Sequence, residues 1–307
     1  NNNKAVFMSN IQPYVSVIMN CYNCEEFLKE AIDSIYKQSF SNWEIIFLDN
    51  ASIDKSAEVA GKYDNKLNYY RIEKNVPLGK ARNFAMQKAT GKYIAFLDCD
   101  DLYLEDKLER QVKVMDKHGF IMSYGGAMII NENGSLIKKK LALNNSGDVF
   151  GNLLLKYEIN MQSVMLLRSY ILDKNLLFPE NFQYGPDYDL FMDIASQCEV
   201  GVLNDIIVMT RVHSGALTHK KLHCVRDELK STIDRLVARD PNLKEKYANE
   251  IRSAYGKFEY YQAVYFISAG KINKARKTLR SILTYRWGHG ALYVILLLPL
   301  PKTVVMR

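Results

Sequence analysis

The first hundred residues alternate short apolar runs with helical periodicity, and this alternation is the strongest constraint on the fold. Val15–Cys21 and Trp43–Leu48 are short apolar runs of the kind found in buried strands. Between them, Glu25–Gln38 has apolar residues at the spacing of one helix face. The alternation continues through a helix at Asp54–Tyr63, a strand at Leu67–Ile72, a helix at Gly79–Ala89 and a strand at Tyr93–Leu97. Strands separated by helices of this length predict crossover connections, and therefore an α/β fold with a mostly parallel sheet flanked by helices.

The second part of the chain has a more mixed pattern. Phe120–Asn131 and Gly134–Leu143 predict a hairpin, because a turn sequence lies between two strand-like runs. Asp187–Ser196 predicts a helix and Val200–Val212 a strand. From Lys221 onward the periodicity is helical, so we expect a helical C-terminal extension.

Charge is distributed unevenly between the two ends of the 307-residue chain. Residues 219–307 contain 18 Lys and Arg against 7 Asp and Glu, whereas the remaining residues contain 23 against 27. An excess of positive charge in one region predicts an anionic partner, such as nucleic acid or a membrane surface.

The C-terminal sequence favours the membrane over nucleic acid. A basic amphipathic helix is predicted at Lys271–Arg286, and the apolar segment Ala291–Pro301 follows it. Eleven residues are too few to span a bilayer, which takes about 20. We therefore expect a membrane-surface segment near 271–301, peripheral on an anionic membrane, with Trp287 and Tyr293 at the interface. A buried core helix or a contact in an oligomer is the alternative.

Five cysteines are present, and their odd number and wide spacing argue against a disulfide framework. We therefore expect a reducing cytoplasmic location. Cys21 and Cys24 have the spacing of a redox or zinc pair. Because no second pair lies near them in the sequence, two small residues in a strand-to-helix loop is the preferred interpretation.

An acidic cluster, Asp98–Asp101, directly follows the predicted strand Tyr93–Leu97. Three carboxylates within four residues repel one another, and a hard cation such as Mg²⁺ or Mn²⁺ would offset that repulsion. The ordinary alternative is an acidic helix N-cap. Polar residues also follow the first two strands, at Tyr22-Asn23 and Asp49-Asn50. Because ligands bind beyond the carboxyl ends of parallel strands, these three ends should meet in one crevice.

The order of these segments resembles a family 2 glycosyltransferase of bacterial surface-glycan type, with the Rossmann-like GT-A fold and an inverting mechanism. The resemblance covers roughly Val15–Leu217. The segments that carry it are VSVIMNCYN, KEAIDSIYKQSF, WEIIFLDNASIDKSAE, NVPLGKARNFAMQKATGKYIAFLDCDD, GPDYDL and RVHSGALTH.

The resemblance implies roles for residues near the nucleoside. Cys21, Tyr22 and Asn23 resemble the loop that receives the base, and Glu25 stands where the family often has an acid near the ribose. Asp49 resembles the carboxylate that accepts a hydrogen bond from the base, which favours a UDP-sugar.

It also implies roles around the diphosphate. Lys80 and Arg82 stand where basic side chains face the donor. Asp98 resembles the ribose-side carboxylate of a DXD motif that includes Cys99, and Asp100 resembles the ligand of a Mg²⁺ or Mn²⁺ cofactor.

Two more roles come from the second half of the chain. His213 resembles a histidine that joins the metal, and Asp187 resembles the catalytic base. Pro186 replaces the Glu that the family often has before the base, so Asp189 is a rival.

Taken without the resemblance, several of these residues have ordinary interpretations. Asp49 is equally typical of a strand-end turn, and Glu25 of a first-turn acid. Lys80 and Arg82 are typical of solvated helix charges, and His213 of an unremarkable loop residue.

Together these features predict transfer of a hexose from a nucleotide-sugar donor to a glycan or lipid-linked saccharide acceptor by direct displacement. We expect a disordered or foreign segment at 1–13, a catalytic domain at 14–218 with a nucleotide-sugar half (14–118) and an acceptor half (119–218), and a basic helical region at 219–307. Homo-oligomerisation stays open. A dehydrogenase is excluded by the lack of a G-x-G-x-x-G after the first strand. A nucleotidyltransferase and a non-catalytic nucleotide-sugar-binding protein are the alternatives.

Overall fold

The computed structural model describes residues 12–213, 223–282 and 285. Most of the predicted N-terminal segment 1–13 and the apolar segment 291–301 lie outside these residues. The strands are β1 Val15–Cys21, β2 Trp43–Asp49, β3 Leu67–Arg71, β4 Tyr93–Phe96, β5 Leu102–Tyr103, β6 Met122–Ile130, β7 Leu136–Lys140, β8 Met165–Leu167 and β9 Val200–Arg211.

Helices flank the sheet and form the C-terminal part of the described chain. They are α1 Glu25–Tyr36, α2 Ser56–Ala60, α3 Leu78–Lys88, α4 Lys107–His118, α5 Phe150–Leu155, α6 Arg168–Asp173, α7 Pro186–Ala195, α8 Val225–Arg239, α9 Pro241–Lys246, α10 Ala248–Ser268 and α11 Ile272–Ile282. A short 3-10 helix spans Met161–Ser163.

One sheet joins the strands in the order β3-β2-β1-β4-β8-β6-β9-β5, and β7 pairs with β6. The first four strands in this order are parallel, as the alternation of strands and helices predicts. The second half is mixed, since β8 runs antiparallel to both β4 and β6 while β6 and β9 are parallel. The predicted hairpin is confirmed as β6 and β7.

The register of the parallel half aligns the strand ends that carry polar residues. Cys21, the last residue of β1, pairs with Asp49, the last residue of β2. Ile18 pairs with Phe96 at the end of β4, so the chain after β4 leaves the sheet beside the last residues of β1.

A close approach joins the two halves of the domain behind this edge. A Cβ at Gly79 would lie 2.6 Å from the carbonyl oxygen of Pro179, so only glycine permits the contact. Next to it, Asn83 donates to the carbonyl of Phe178 at 2.8 Å and accepts from its N–H at 2.9 Å. Helix α3 and the chain before α7 are thereby fixed against each other.

The C-terminal helices share the core of the sheet domain. Val225, Leu229 and Ile233 of α8 and Phe258 of α10 belong to the same buried cluster as Ile94 of β4. They cover α7, and they therefore help to position its first turn.

The basic helix predicted from Lys271 is present as α11, and its apolar side is covered. Ala275, Leu279 and Ile282 pack with Ala263 and Ile267 of α10. Within the described residues this side is therefore not free to enter a membrane, and the exposed side chains of α11 are basic apart from Asn273. Among the described helices, none combines the length and the apolar character that crossing a bilayer requires.

Candidate active site

The polar ends of β1, β2 and β4 lie next to one another at one edge of the sheet. The backbone N–H of Asn23 donates to Ser52 Oγ at 3.1 Å, which joins the loop after β1 to the loop after β2. Cys99 Sγ donates to the carbonyl of Asn20 at 3.4 Å, which joins the acidic turn after β4 to the end of β1. The three segments therefore form one continuous surface.

Asp49 is fully buried at the end of β2 and is satisfied by three donors. Its carboxylate accepts from Ser52 N at 2.7 Å, from Tyr69 Oη at 2.6 Å and from the Arg71 guanidinium. Burial alone would raise the pKa of Asp49, but the hydrogen bonds from Tyr69 and Ser52 and the charge of Arg71 outweigh it, so the pKa lies below its usual range.

The loop after β1 presents one large side chain to solvent. Tyr22 is 51% exposed, whereas Cys21 is buried beneath the loop. Asn23 adopts a positive φ of 54°, and its Oδ1 accepts from Ile53 N at 2.9 Å. Glu25 is tied to the next loop, since it accepts from Lys55 N at 2.9 Å. The side chain that this loop offers to a ligand is therefore Tyr22.

Asp98, the first residue of the acidic cluster, is held by side chains from two other segments. Arg82, which is buried on α3, donates to its Oδ1 at 3.0 Å. Gln162 donates to its Oδ2 at 2.7 Å and accepts from its backbone N–H at 2.8 Å. These contacts fix the orientation of Asp98.

Asp100 faces the cleft and contacts His213, whose Nε2 lies 2.9 Å from Asp100 Oδ2. Burial and the nearby charge of Asp98 raise the pKa of Asp100, and the contact with His213 opposes them. Sequence reasoning placed these two residues on one metal, and the fold brings them together from positions 113 residues apart.

Asp101, the last residue of the acidic cluster, stabilises the turn from within the protein. It is buried, and its Oδ1 accepts from Arg211 N at 2.7 Å. Burial and repulsion from Asp100 and Asp98 raise its pKa well above the usual value. The same Arg211 reaches the carbonyl of Asp100 at 3.1 Å and Glu30 at 2.8 Å, so it braces the turn. The carboxylate and imidazole at the exposed side of this turn are a donor set that fits Mg²⁺ or Mn²⁺.

Asp187 lies in the first turn of α7 and lines a cavity of about 290 Å³. Burial raises its pKa, and the charge of Arg82 opposes this effect. Among residues 12–213 and 223–282, no side chain hydrogen-bonds its carboxylate. Arg82 therefore acts on two carboxylates: it binds Asp98 directly, and its charge opposes the rise in the pKa of Asp187.

The rival base, Asp189, points away from this cavity. It is buried against α8, where Thr232 donates to it at 2.7 Å and Arg235 pairs with it at 2.8 Å. Both oxygens are thus occupied, and the geometry favours Asp187 as the free carboxylate.

The cavity beside Asp187 is lined by aromatic and aliphatic side chains and by one basic side chain. Its lining includes Leu153, Leu154, Tyr157, Tyr184, Tyr188, Leu229, Lys257, Phe258 and Tyr261. Burial and the neighbouring Lys156 lower the pKa of Lys257, and no carboxylate in the described part of the chain forms an ion pair with it. The hydroxyl of Tyr157 is buried and has no hydrogen-bond partner among the described residues.

Three predicted residues do not offer a free side chain to this cleft. Lys80 lies on the surface of α3, where it faces Glu180 at 3.8 Å. Cys21 and Cys99 are 1% and 2% exposed, so only their backbones can reach a bound molecule.

Comparison with known proteins identifies the family to which this chain belongs. The family model "Glycosyl transferase family 2" matches residues 16–176, which is more than half of the chain. This protein belongs to glycosyl transferase family 2.

Curated relatives in the family are similar over most of this chain. An uncharacterized glycosyltransferase of Rickettsia felis is 35% identical over 235 residues, which cover 70% of this chain but only 38% of that protein. The Escherichia coli protein named UDP-Glc:alpha-D-GlcNAc-diphosphoundecaprenol beta-1,3-glucosyltransferase WfgD is 33% identical over 193 residues, 62% of this chain and 73% of that protein. The chain thus spans well under half the length of the Rickettsia felis relative.

Solved structures share the fold. S. aureus TarS 1–349 in complex with UDP-GlcNAc gives a TM-score of 0.68 at 18% identity, over 89% of this chain and 81% of that one. The mannosyltransferase PcManGT from Pyrobaculum calidifontis, in complex with GDP-Man and Mn²⁺, gives 0.57 at 17% identity, over 96% and 86%. The fold is therefore GT-A, as the sequence resemblance implies.

Sequence reasoning for this family 2 chain missed the residues that surround the predicted ones. Tyr69 and Arg71 enclose Asp49, and Gln162 orients Asp98. Tyr157 and Lys257 line the cavity at Asp187 from positions on either side of α7 in the sequence. None of them stands in a local motif, so only contacts in the folded chain reveal them.

Proposed function

We propose that this protein is a metal-dependent, inverting glycosyltransferase that moves a hexose-type sugar from a UDP-sugar to a hydroxyl of a glycan or lipid-linked saccharide. The observation that carries the proposal is the carboxylate of Asp187, which lines a cavity and has no side-chain hydrogen bond within the described residues. Arg82, which pairs with Asp98 of the acidic turn, also acts on Asp187 through its charge. A base on one side of the reacting carbon and a diphosphate-binding turn on the other is the arrangement that direct displacement requires.

The donor would lie along the joined ends of β1, β2 and β4. Tyr22 is exposed there and would pack on the base, and Asp49 would accept from the N3–H of uracil. Asp49 is closed over by Tyr69 and Arg71, so donor binding requires these side chains to rearrange or to contact the base themselves.

Asp100 and His213 are the residues that would hold Mg²⁺ or Mn²⁺. When bound, such a cation neutralises negative charge on the departing diphosphate. Arg82 would add a buried positive charge there, and its bond fixes the orientation of Asp98, which we expect to face the ribose of the donor.

Asp187 would take the proton from the acceptor hydroxyl. A general base works best when its pKa approaches the working pH, and burial moves the pKa of Asp187 in that direction. Direct attack by the hydroxyl then inverts the anomeric centre without a covalent intermediate.

The acceptor would occupy the cavity beside Asp187. Its volume of about 290 Å³ is near the lower limit for small-molecule pockets, which suits a single sugar ring. Aromatic side chains pack on the apolar faces of sugars, and Lys257 offers an unpaired positive charge. We therefore expect the acceptor saccharide to carry a negative charge next to its reacting ring, as a diphosphate-linked or acidic sugar does.

The exposed basic side chains of α11 extend this proposal to the cell membrane. Lys271, Lys274 and Lys277 face outward while the apolar side of the helix is buried. Contact with anionic headgroups would be electrostatic, at about 1 kcal/mol for each basic residue near the surface. Peripheral attachment at the inner face would bring the site to a lipid-linked acceptor during surface-glycan assembly.

A donor panel tests the function directly. The full chain with Mn²⁺ is heated with UDP-glucose, UDP-N-acetylglucosamine, UDP-galactose and GDP-mannose in turn, and the unfolding temperature is measured. We expect a UDP-sugar to raise it and Asp100→Ala to remove the shift. Stabilisation by GDP-mannose alone would refute uracil as the nucleobase of the donor. No stabilisation by any of the four donors would refute the proposed glycosyltransferase activity.

A further inference from the structure

Three cysteine thiols meet under the loop that follows β1. Cys21 ends β1, Cys24 precedes α1 and Cys99 lies in the acidic turn after β4. Their Sγ atoms all lie within 4.8 Å of one another. Cys21 and Cys99 are buried, and Cys24 is partly exposed. Three segments far apart in the sequence thus contribute one thiol each to a single cluster.

The sequence-based preference for two small loop residues depended on the lack of a second pair near Cys21 and Cys24. The fold supplies one further thiol, Cys99, 75 residues after Cys24, because the parallel pairing of β1 with β4 brings the acidic turn beside the loop. The two loop cysteines are therefore part of a three-thiol cluster.

The spacing of the thiols is compatible with joint ligation of one cation. Zinc–thiolate bonds are about 2.3 Å long, so two thiolates on a tetrahedral ion lie roughly 3.8 Å apart. Small side-chain rotations would close the cluster to that distance. Its other contacts are weak and would be easily replaced, since Cys21 Sγ lies 3.8 Å from Ser52 Oγ and Cys99 Sγ lies 3.4 Å from the carbonyl of Asn20.

This cluster is chemically distinct from the neighbouring acidic turn. Asp100 and His213 offer oxygen and nitrogen toward the cleft, whereas Cys99 points into the core between Asp98 and Asp100. Soft thiolates select zinc-like ions, and carboxylates select Mg²⁺ and Mn²⁺. The two neighbouring sets of donor atoms therefore favour different classes of cation.

We propose that Cys21, Cys24 and Cys99 form a three-thiolate site for a soft divalent cation of the Zn²⁺ or Cd²⁺ class. The fourth position would open toward Cys24, the one partly exposed member, and would take water. Each thiol that ligates the ion releases a proton. The bound ion would fasten the loop bearing Tyr22 to the acidic turn, so that a soft metal sets the stiffness of the donor-binding edge.

Cadmium titration of the full, reduced, chelator-washed protein tests the site without any activity assay. Cadmium–thiolate ligation gives an ultraviolet charge-transfer band that carboxylate and imidazole ligation do not give. We expect the band to saturate at one equivalent of Cd²⁺ and the unfolding temperature to rise with it. Mn²⁺ should give no band.

Matched cysteine variants locate the ions. Cys24→Ser should weaken Cd²⁺ binding by at least about tenfold and reduce the band. Cys198→Ser should change neither, because Cys198 is also partly exposed but contacts Tyr170 instead. Cys24 makes no side-chain capping bond to α1, so its substitution should leave the fold intact, which circular dichroism checks. Should circular dichroism show Cys24→Ser misfolded, Cys24→Ala takes its place.

Three outcomes would overturn the proposal. One is Cd²⁺ binding without the thiolate band, and another is an equal band in Cys24→Ser and the unchanged protein. The third is no binding of Cd²⁺ at all. None of them bears on glycosyl transfer, so the proposed function stands or falls separately.

Discussion

The acidic turn after β4 and the cavity beside α7 each have a carboxylate on which Arg82 acts, and they differ in how their polar groups are satisfied. In the turn each carboxylate has a partner: Asp98 has Arg82, Asp100 has His213, and Asp101 has the backbone of Arg211. In the cavity, within the part of the chain that the structure describes, the hydroxyl of Tyr157 has no hydrogen-bond partner and Lys257 has no acidic partner.

The difference distinguishes polar groups that are paired within the protein from polar groups that a ligand could still pair with. Buried polar groups in native proteins are nearly always paired, so an unpaired set around a cavity indicates that a ligand completes it. Under the proposed function, a cation and a diphosphate would complete the turn. An acceptor with hydroxyl and anionic groups would complete the cavity.

The largest expected effect comes from the turn. Asp100→Ala should lower the rate of transfer about 10⁴-fold, because charge on the leaving diphosphate would no longer be neutralised. Initial rates with a UDP-sugar and Mn²⁺ measure it. Asp106→Ala is the control, since Asp106 forms only a surface pair with Arg110 at 3.5 Å. Full turnover by Asp100→Ala would place the metal elsewhere.

In the cavity, Asp187→Asn should lower kcat about 10³-fold through loss of the base. Because burial raises the pKa of Asp187, transfer by the unchanged protein should increase with pH through that raised pKa, and the variant should lack this step. Asp189→Asn is the control. This variant should be less stable, because the ion pair between Asp189 and Arg235 is lost, but its transfer rate should depend on pH as in the unchanged protein. A pH step lost in Asp189→Asn and kept in Asp187→Asn would exchange their roles.

The stability of two variants should change in opposite directions. The raised pKa of Asp187 means that its contribution to the free energy of unfolding is greatest below the pKa of the unfolded chain and falls as pH rises. The lowered pKa of Asp49 means the reverse, with stability lost as pH falls through its folded pKa.

At neutral pH, Asp49→Asn should therefore destabilise by about 1–3 kcal/mol, because Tyr69 and Arg71 lose a charged acceptor. Asp187→Asn should raise the unfolding temperature. Urea unfolding at several pH values measures both. Equal changes in the two variants would erase the contrast between a satisfied and an unsatisfied carboxylate.

The smallest effect concerns the acceptor. Lys257→Gln should raise KM about tenfold for a diphosphate-linked sugar or a uronic acid glycoside and leave KM for a neutral alkyl glycoside unchanged. Lys271→Gln is a matched control, because each lysine lies 5.9 Å from a tyrosine ring but Lys271 is outside the cavity. The same shift for neutral and charged acceptors would remove the anionic-acceptor assignment.

The sequence predicted the donor half of the fold well. Apolar runs and helical spacing gave β1 with both ends correct and placed the other parallel strands within one residue at each end. The short strands β5 and β8 had no periodic signal, since two or three residues cannot show one. The turn Asp98–Asp101 was evident because its charge is local, and strand ends in a parallel sheet meet by topology.

The sequence could not predict the roles of residues that depend on contacts with distant segments of the chain. The choice between Asp187 and Asp189 depended on α8, which pairs Asp189 with Arg235. We expected the apolar side of α11 to lie on a membrane surface, and the structure packs it against α10 instead. An amphipathic pattern predicts that one face of a helix is buried, but it does not predict which surface covers that face.

The sequence by itself determined the strand–helix order, the family and the acidic turn, because each is written in contiguous residues. Only the tertiary structure decided which carboxylate is free, which cation faces the cavity and which cysteine joins Cys21 and Cys24. Those facts depend on pairing between segments tens of residues apart, and chain topology, not local pattern, sets such distances.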